Sequence, residues 1–270
     1  MKYDFTDIDT VGTKAVKSEN QLIYNGVNID ETLTDQTGTV ITLNVSGRGL
    51  AEYRYSDVKP AGVDGSMFES IYLEPRILDV EMQISAVNSQ EFRRLFERLN
   101  KVLRSSHEVP IKFTDDNDHT FHGVYVSASQ PKDDSNEQVI TVTFNCSDPM
   151  KETDEKQITA SNSEVLELDS DYPVKPHIRV VFPDVTDEFS LHNTTQGKSI
   201  LYKKVDGFKT QQYHLEVNNN RIYRSVNETD GYNGLLLSSD WEEFTIQTGD
   251  QITVQPEPQS INIYYKGVKL

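Results

Sequence analysis

Apolar and polar residues alternate along residues 68–85, FESIYLEPRILDVEMQIS, the longest strand-like run in the chain. Ile71, Leu73, Ile77, Val80, Met82 and Ile84 carry the period-two signal of a half-buried strand, and Pro75 interrupts it, predicting a bulge or an edge position. The period then changes. Over residues 88–104, Phe92, Leu95, Phe96, Leu99, Val102 and Leu103 recur at helical spacing and predict one amphipathic helix. Asn88 or Ser89 is placed to cap it, with Glu91 three residues beyond Asn88 as in a capping box. Arg93, Arg94, Glu97, Arg98, Lys101 and Arg104 lie off the apolar stripe, and the cations near the end suit the helix dipole.

The rest of the chain reads as strands and turns. Residues 1–20 are polar and irregular, an arm or a first strand. Asn25-Gly26 between the apolar residues of 22–29 predicts a tight hairpin. A strand at 39–45 ends at Gly47 and Gly49. Residues 109–113 and 121–126 predict a hairpin around the acidic run 115–118, and 139–144 a closing strand. The polar run 151–164, KETDEKQITASNSE, is a linker or a first exposed edge, and places a domain boundary near residue 150. Beyond it, 177–182, 213–217, 221–224, 251–254 and 261–265 predict short strands without a helix, with a tight turn at Asn218-Asn219-Asn220. The predicted fold class is therefore mainly β. Residues 1–150 form a β-rich domain with its helix at about 88–104, and 151–270 a β-sandwich of jelly-roll type.

Residues 47–67 form a long loop or an extended hairpin, and such loops in compact domains are functional or disordered. Arg48, Tyr53, Arg54 and Tyr55 favour a contact surface, since Arg and Tyr are enriched at interface hot spots. Arg93, Arg94 and Arg98 on the helix are further candidates, as partners in ion pairs between subunits.

Composition sharpens this picture. Apolar residues make up 36% of the 270, below the roughly 45–50% of an average domain, while charged residues, at 26%, are ordinary. The deficit lies in core-forming residues, as in thin β-domains or in subunits that finish burying surface against partners. Net charge is −17, divided as −10 over residues 1–150 and −7 over 151–270. That balance disfavours nucleic-acid binding, which needs a basic footprint on phosphates. The single cysteine, Cys146, excludes an intrachain disulfide and sits in an alternating strand as a small buried hydrophobe. No apolar run of membrane-spanning length occurs, so no membrane insertion is expected.

Candidate chemistry is sparse. His119 and His122 lie beside Asp115, Asp116 and Asp118, but residues three apart on a strand face opposite sides, and the acidic run lacks the glycine of a Ca²⁺ loop. No P-loop, GxGxxG, HExxH or Gly-x-Ser-x-Gly elbow appears, so no catalytic residue, cofactor site or metal site is assigned. Trp241, the only tryptophan, lies in a half that also holds Tyr202, Tyr213, Tyr223, Tyr232, Tyr264 and Tyr265. Such rings fill a sandwich core or stack on sugars, and the second case would make this half a lectin-like module for host cell-wall adhesion.

A Gly-Val-Asp-Gly turn at 62–65, a strand carrying Pro75-Arg76-Ile77, the Phe-x-x-Leu helix, a closing Phe-x-Cys-x-Asp-Pro at 144–149 and a second β-domain opening on Pro176-His177-Ile178 follow in order. This order resembles the distal tail proteins of long-tailed siphophages that infect Gram-positive bacteria, most strongly over residues 60–149. The resemblance implies a non-enzymatic hub of the tail tip or baseplate, resident in the virion tail and assembled in the host cytoplasm. It implies an N-terminal domain that forms a hexameric ring and a galectin-like C-terminal sandwich. The implied partners are further copies of the chain, the tail tube protein, the tail-associated spike or lysin, and receptor-binding proteins. DNA would pass through the channel without sequence-specific binding.

Overall fold

The computed structural model describes residues 18–129, 135–203, 210–219, 221–224 and 231–270. The arm expected over the first residues lies outside them, apart from its last three positions, as does Asn220 of the expected turn. The chain divides into two compact units, Met1–Lys151 with Leu270, and Glu152–Lys269. It is mostly β, and among the described residues no helix is long and apolar enough to cross a membrane.

In the first unit, β1 (Leu22–Tyr24) and β2 (Val27–Asn28) form the predicted hairpin. Asn25 and Gly26 occupy its turn with φ of 51° and 77°, the left-handed pair that a tight two-residue connection requires. A short helix that the sequence pattern did not predict follows, α1 (Ile29–Leu33), capped by Asn28, whose side chain accepts from the Glu31 amide. The remaining elements are β3 (Gly38–Ser46), β4 (Tyr53–Val58), β5 (Met67–Leu73), β6 (Arg76–Ala86), α2 (Ser89–Leu103), β7 (Val109–Phe113), β8 (Asp116–Ala128) and β9 (Glu137–Cys146).

The alternating run 68–85 is two strands. The break falls at Glu74-Pro75, and β5 and β6 belong to different sheets. Strand β6 is the spine of its sheet, antiparallel to β3 on one side and to β9 on the other. Leu78, Val80, Met82, Ile84 and Ala86 are buried along one face, and Ile77, on the other parity, is 44% exposed. The order runs β3-β6-β9-β8-β7-β1-β2. Tyr24 and Tyr125 close on Phe144 at ring-centroid separations of 5.3 and 6.3 Å.

Helix α2 starts where Asn88 accepts hydrogen bonds from the amides of Gln90 and Glu91, 3.0 and 2.9 Å. Phe92, Leu95, Leu99 and Leu103 are buried, one per turn, in the same core as β6 and β3. Each such side chain contributes about 1.5–3 kcal/mol on burial, which far exceeds any intrinsic helix propensity.

In the second unit, the run 151–160, expected as a linker or a first exposed edge, is a strand and not a linker. It is strand β10 (Lys151–Ala160), with Thr153 and Ala160 buried. Next come β11 (His177–Thr186), β12 (Glu188–Asn193), β13 (Lys198–Lys203), β14 (Thr210–Glu216), β15 (Arg221–Arg224), β16 (Ile252–Gln255) and β17 (Ser260–Lys269). One sheet has the order β15-β14-β11-β17-β10 and a second the order β13-β12-β16. Ile178, Val180 and Phe182 of β11, Ile261 and Ile263 of β17, and Leu191, Ile200 and Val254 of the smaller sheet share one core. This is sheet-on-sheet packing through alternating inward residues. Phe189 stacks on Tyr202 at 5.0 Å with Tyr213 against both. Strands β12 and β13 lay outside the sequence expectation.

Candidate assembly surface

The loop expected at 47–67 is an extended hairpin. Strands β4 and β5 pair antiparallel, with Tyr53 opposite Leu73, Arg54 opposite Tyr72 and Tyr55 opposite Ile71, and they form a two-stranded sheet of their own. Both faces carry apolar side chains. Tyr53 (48% exposed), Tyr55 (56%), Phe68 (61%) and Ile71 (54%) share one face, and Val58, Met67 and Tyr72 lie on the other. The Tyr55 and Phe68 rings meet across the strands at 5.7 Å. The root is closed by the Glu74 amide donating to the Glu52 carbonyl at 2.9 Å. A two-stranded ribbon has no third layer on which to bury either face. Single exposed apolar residues are ordinary, whereas a run of them on one element marks a contact surface.

The candidates from the sequence separate into groups. Tyr53, Arg54 and Tyr55 sit together on the hairpin, where Arg54 reaches Glu74 at 3.8 Å and lies over the Tyr72 ring at 6.0 Å. Arg48 is instead an internal clamp. Its guanidinium donates two bonds to Asp115, at 2.7 and 2.9 Å, and covers the Phe113 ring at 4.8 Å. That guanidinium holds the Asp115 carboxyl below its usual range. Arg98 likewise ties α2 to the end of α1, donating to Asp35 at 2.6 Å and to the Thr32 carbonyl at 3.1 Å. Hydrogen bonds from Thr37, then Arg98, hold the Asp35 carboxyl far below its usual range. Arg94 pairs with Glu91 one turn back at 2.5 Å, and Arg93 is exposed. Thus Arg48 and Arg98 are engaged within the subunit and are not lone cations awaiting a neighbour. Phe68, Met67 and Tyr72 were missed. Their signal was present, since residues 67–73 put apolar side chains on both parities, which no strand with one buried face does.

Trp241, the candidate sugar platform, is corrected by its burial. It is 3% exposed in the second core, with the Tyr232 ring edge-on at 6.4 Å, and presents no open face for stacking. Tyr202 and Tyr213 are core residues. Tyr223 lies flat on His214 at 4.6 Å, and Tyr264 on His177 at 5.1 Å. His119 bonds Asp116 through Nδ1 at 2.6 Å, and no cluster of potential metal ligands occurs among the described residues. Cys146 is fully buried, and burial pushes its thiol up to about 12.

Comparison with known proteins bears on this geometry. Residues 29–146, which include the hairpin, match the family model described as phage tail protein RIFT-related domain. The distal tail protein of Bacillus phage SPP1 is 26% identical over 238 residues, 87% of this chain and 88% of that relative. The crystal structure of the SPP1 protein, presented as a paradigm of the hub adsorption apparatus in phages infecting Gram-positive bacteria, matches with TM-score 0.77 at 23% identity, over 93% of this chain and 99% of that one. A chain of the phage P2 baseplate in its activated conformation matches with TM-score 0.50 at 8% identity, over 92% and 97%. At these identities the two structural likenesses speak for the fold.

Proposed function

We propose, from the premise that this chain is a relative of the siphophage distal tail proteins, that it is a structural hub of a phage tail tip, acting by assembly and not by catalysis. In this reading copies of the first unit close into a six-fold ring. One side of the ring meets the tail tube protein and the other the spike or lysin, with receptor-binding proteins at the periphery. The protein works in the virion tail after assembly in the host cytoplasm. The observation that carries the reading is the β4–β5 hairpin, apolar on both faces and open to solvent. Burying such a ribbon between copies supplies the missing layers. A single patch meeting a different patch on the next copy generates a ring when the rotation closes. In this division of labour the first unit serves the ring and the second is a galectin-like sandwich.

The test is light scattering and negative-stain microscopy of the purified chain, alone and mixed with a tube or spike protein. Rings are expected, and replacing Tyr55 and Phe68 together by Ser is expected to abolish them. A monomer under every condition, at high concentration and with partners, overturns the reading.

A further inference from the structure

Two sequence motifs, Pro75-Arg76-Ile77 and the closing 144–149 segment, meet in the structure at one buried cation. Arg76 lies opposite Cys146 in the β6–β9 ladder and is 5% exposed. Its Nε donates to the Pro149 carbonyl at 2.6 Å, and its Nη1 to the carbonyls of Gly47 and Gly49 at 2.8 and 3.1 Å. The guanidinium also faces the Phe121 ring at 5.6 Å, and Nη2 is buried without a partner among the described residues. Among its described hydrogen bonds there is no carboxylate. A buried charge without a counter-ion is costly, so it persists only where fixed dipoles hold it.

The three carbonyls belong to two chain segments. Gly47 and Gly49 begin the path from β3 into the hairpin, and Pro149 ends the path out of β9. Gly47 has φ +88°, and a Cβ there would stand 1.9 Å from the Ile77 carbonyl oxygen, so glycine alone permits this approach. Arg76 also follows the hairpin's root by only two residues, since Glu74 closes it on Glu52. Both stems of the hairpin therefore converge on one side chain.

We infer that Arg76 is the positioning residue for assembly, fixing the direction in which the β4–β5 hairpin leaves the first unit and so presenting its apolar faces to a second copy of this chain. This rests on the hub reading above. Association pays for ordering any segment that is mobile beforehand, and a hairpin held at its root has already met that cost.

The test compares full-length wild type with Arg76→Met, Arg76→Lys and the Tyr55→Ser/Phe68→Ser double variant. The readouts are sedimentation velocity and amide hydrogen exchange. Arg76→Met is expected to speed exchange over residues 47–73 by about tenfold or more, with α2 and the second unit unchanged, and to raise the concentration for half-assembly by about the same factor. Arg76→Lys, with one ammonium for three carbonyls, is expected to fall between. The double variant is expected to lose assembly with exchange at 47–52 unchanged. If it loses assembly while both Arg76 variants assemble and exchange like wild type, the positioning role is overturned and the hub reading stands. If the double variant assembles like wild type, the hairpin reading itself fails. Should Arg76→Met not fold, Arg76→Lys decides: assembly and exchange equal to wild type overturn the inference.

Discussion

At the scale of residues, the second unit carries a paired histidine arrangement that makes its stability depend on pH. His177 Nε2 and His214 Nδ1 are 2.9 Å apart, so one ring donates and the other accepts. Gln212 lies 3.1 Å from the far nitrogen of His214, and Tyr223 and Tyr264 cover the rings. Burial lowers the affinity of His177 for a proton. Burial, then His177 and Arg179, bring His214 to about 4, with Glu216 opposing. His214 is thus neutral in the folded state above about 4 and His177 binds its proton less readily than usual, whereas in the unfolded chain both bind protons below about 6.5. For His214 the unfolded state therefore holds more protons between about 4 and 6.5, and stability rises with pH through that window and is lost as pH falls through it; His177 acts in the same direction. The slope is at most about 1.4 kcal/mol per pH unit for each histidine. Denaturation followed by the fluorescence of Trp241, buried in the same unit, should shift to lower denaturant between pH 7.5 and 5. His214→Gln should flatten that dependence; an unchanged slope would refute the assignment.

Among the elements, helix α2 was the most legible part of the chain, because capping and burial agree along it. Asn88 satisfies two amides that no carbonyl of the helix can reach. Asn88→Ala should cost about 1 kcal/mol, within a range of about 0.5–2, with Asn88→Asp close to wild type. Equilibrium unfolding in urea would measure both. The hairpin at Asn25-Gly26 was equally legible, since few dipeptides tolerate two left-handed residues. Helix α1 was not, because five residues are too short for a periodic signal, and it is held from outside. The buried Asp30 carboxylate accepts from the Thr42 amide and hydroxyl, both at 2.7 Å. Strands β12 and β13 were missed for a related reason, their apolar residues being few and set among polar ones: Phe189, Leu191, Ile200 and Tyr202.

For the whole molecule, charge and apolar exposure act in opposite directions on assembly. Each chain carries a net charge of −17, so copies repel one another, whereas in the proposed assembly the exposed apolar side chains of the hairpin attract. Salt screens the first and leaves the second, since the Debye length falls from about 30 Å at 0.01 M to about 3 Å at 1 M. Ring assembly should therefore strengthen from low to high salt, as sedimentation at about 0.05 and 0.5 M NaCl would show; an interface built on ion pairs would weaken instead. The sequence by itself determined the mainly β class, the helix, the first hairpin and the presence of an Arg- and Tyr-rich segment after Gly47, because each rests on local periodicity, turn chemistry or residue type. Tertiary structure alone decided which arginines are spent. Arg48, Arg98 and Arg76 are indistinguishable as letters, yet Asp115, Asp35 and three carbonyls from distant segments claim them. It also decided that Trp241 is core and Phe68 surface, since the same apolar side chain is buried or exposed according to whether another layer lies over its strand.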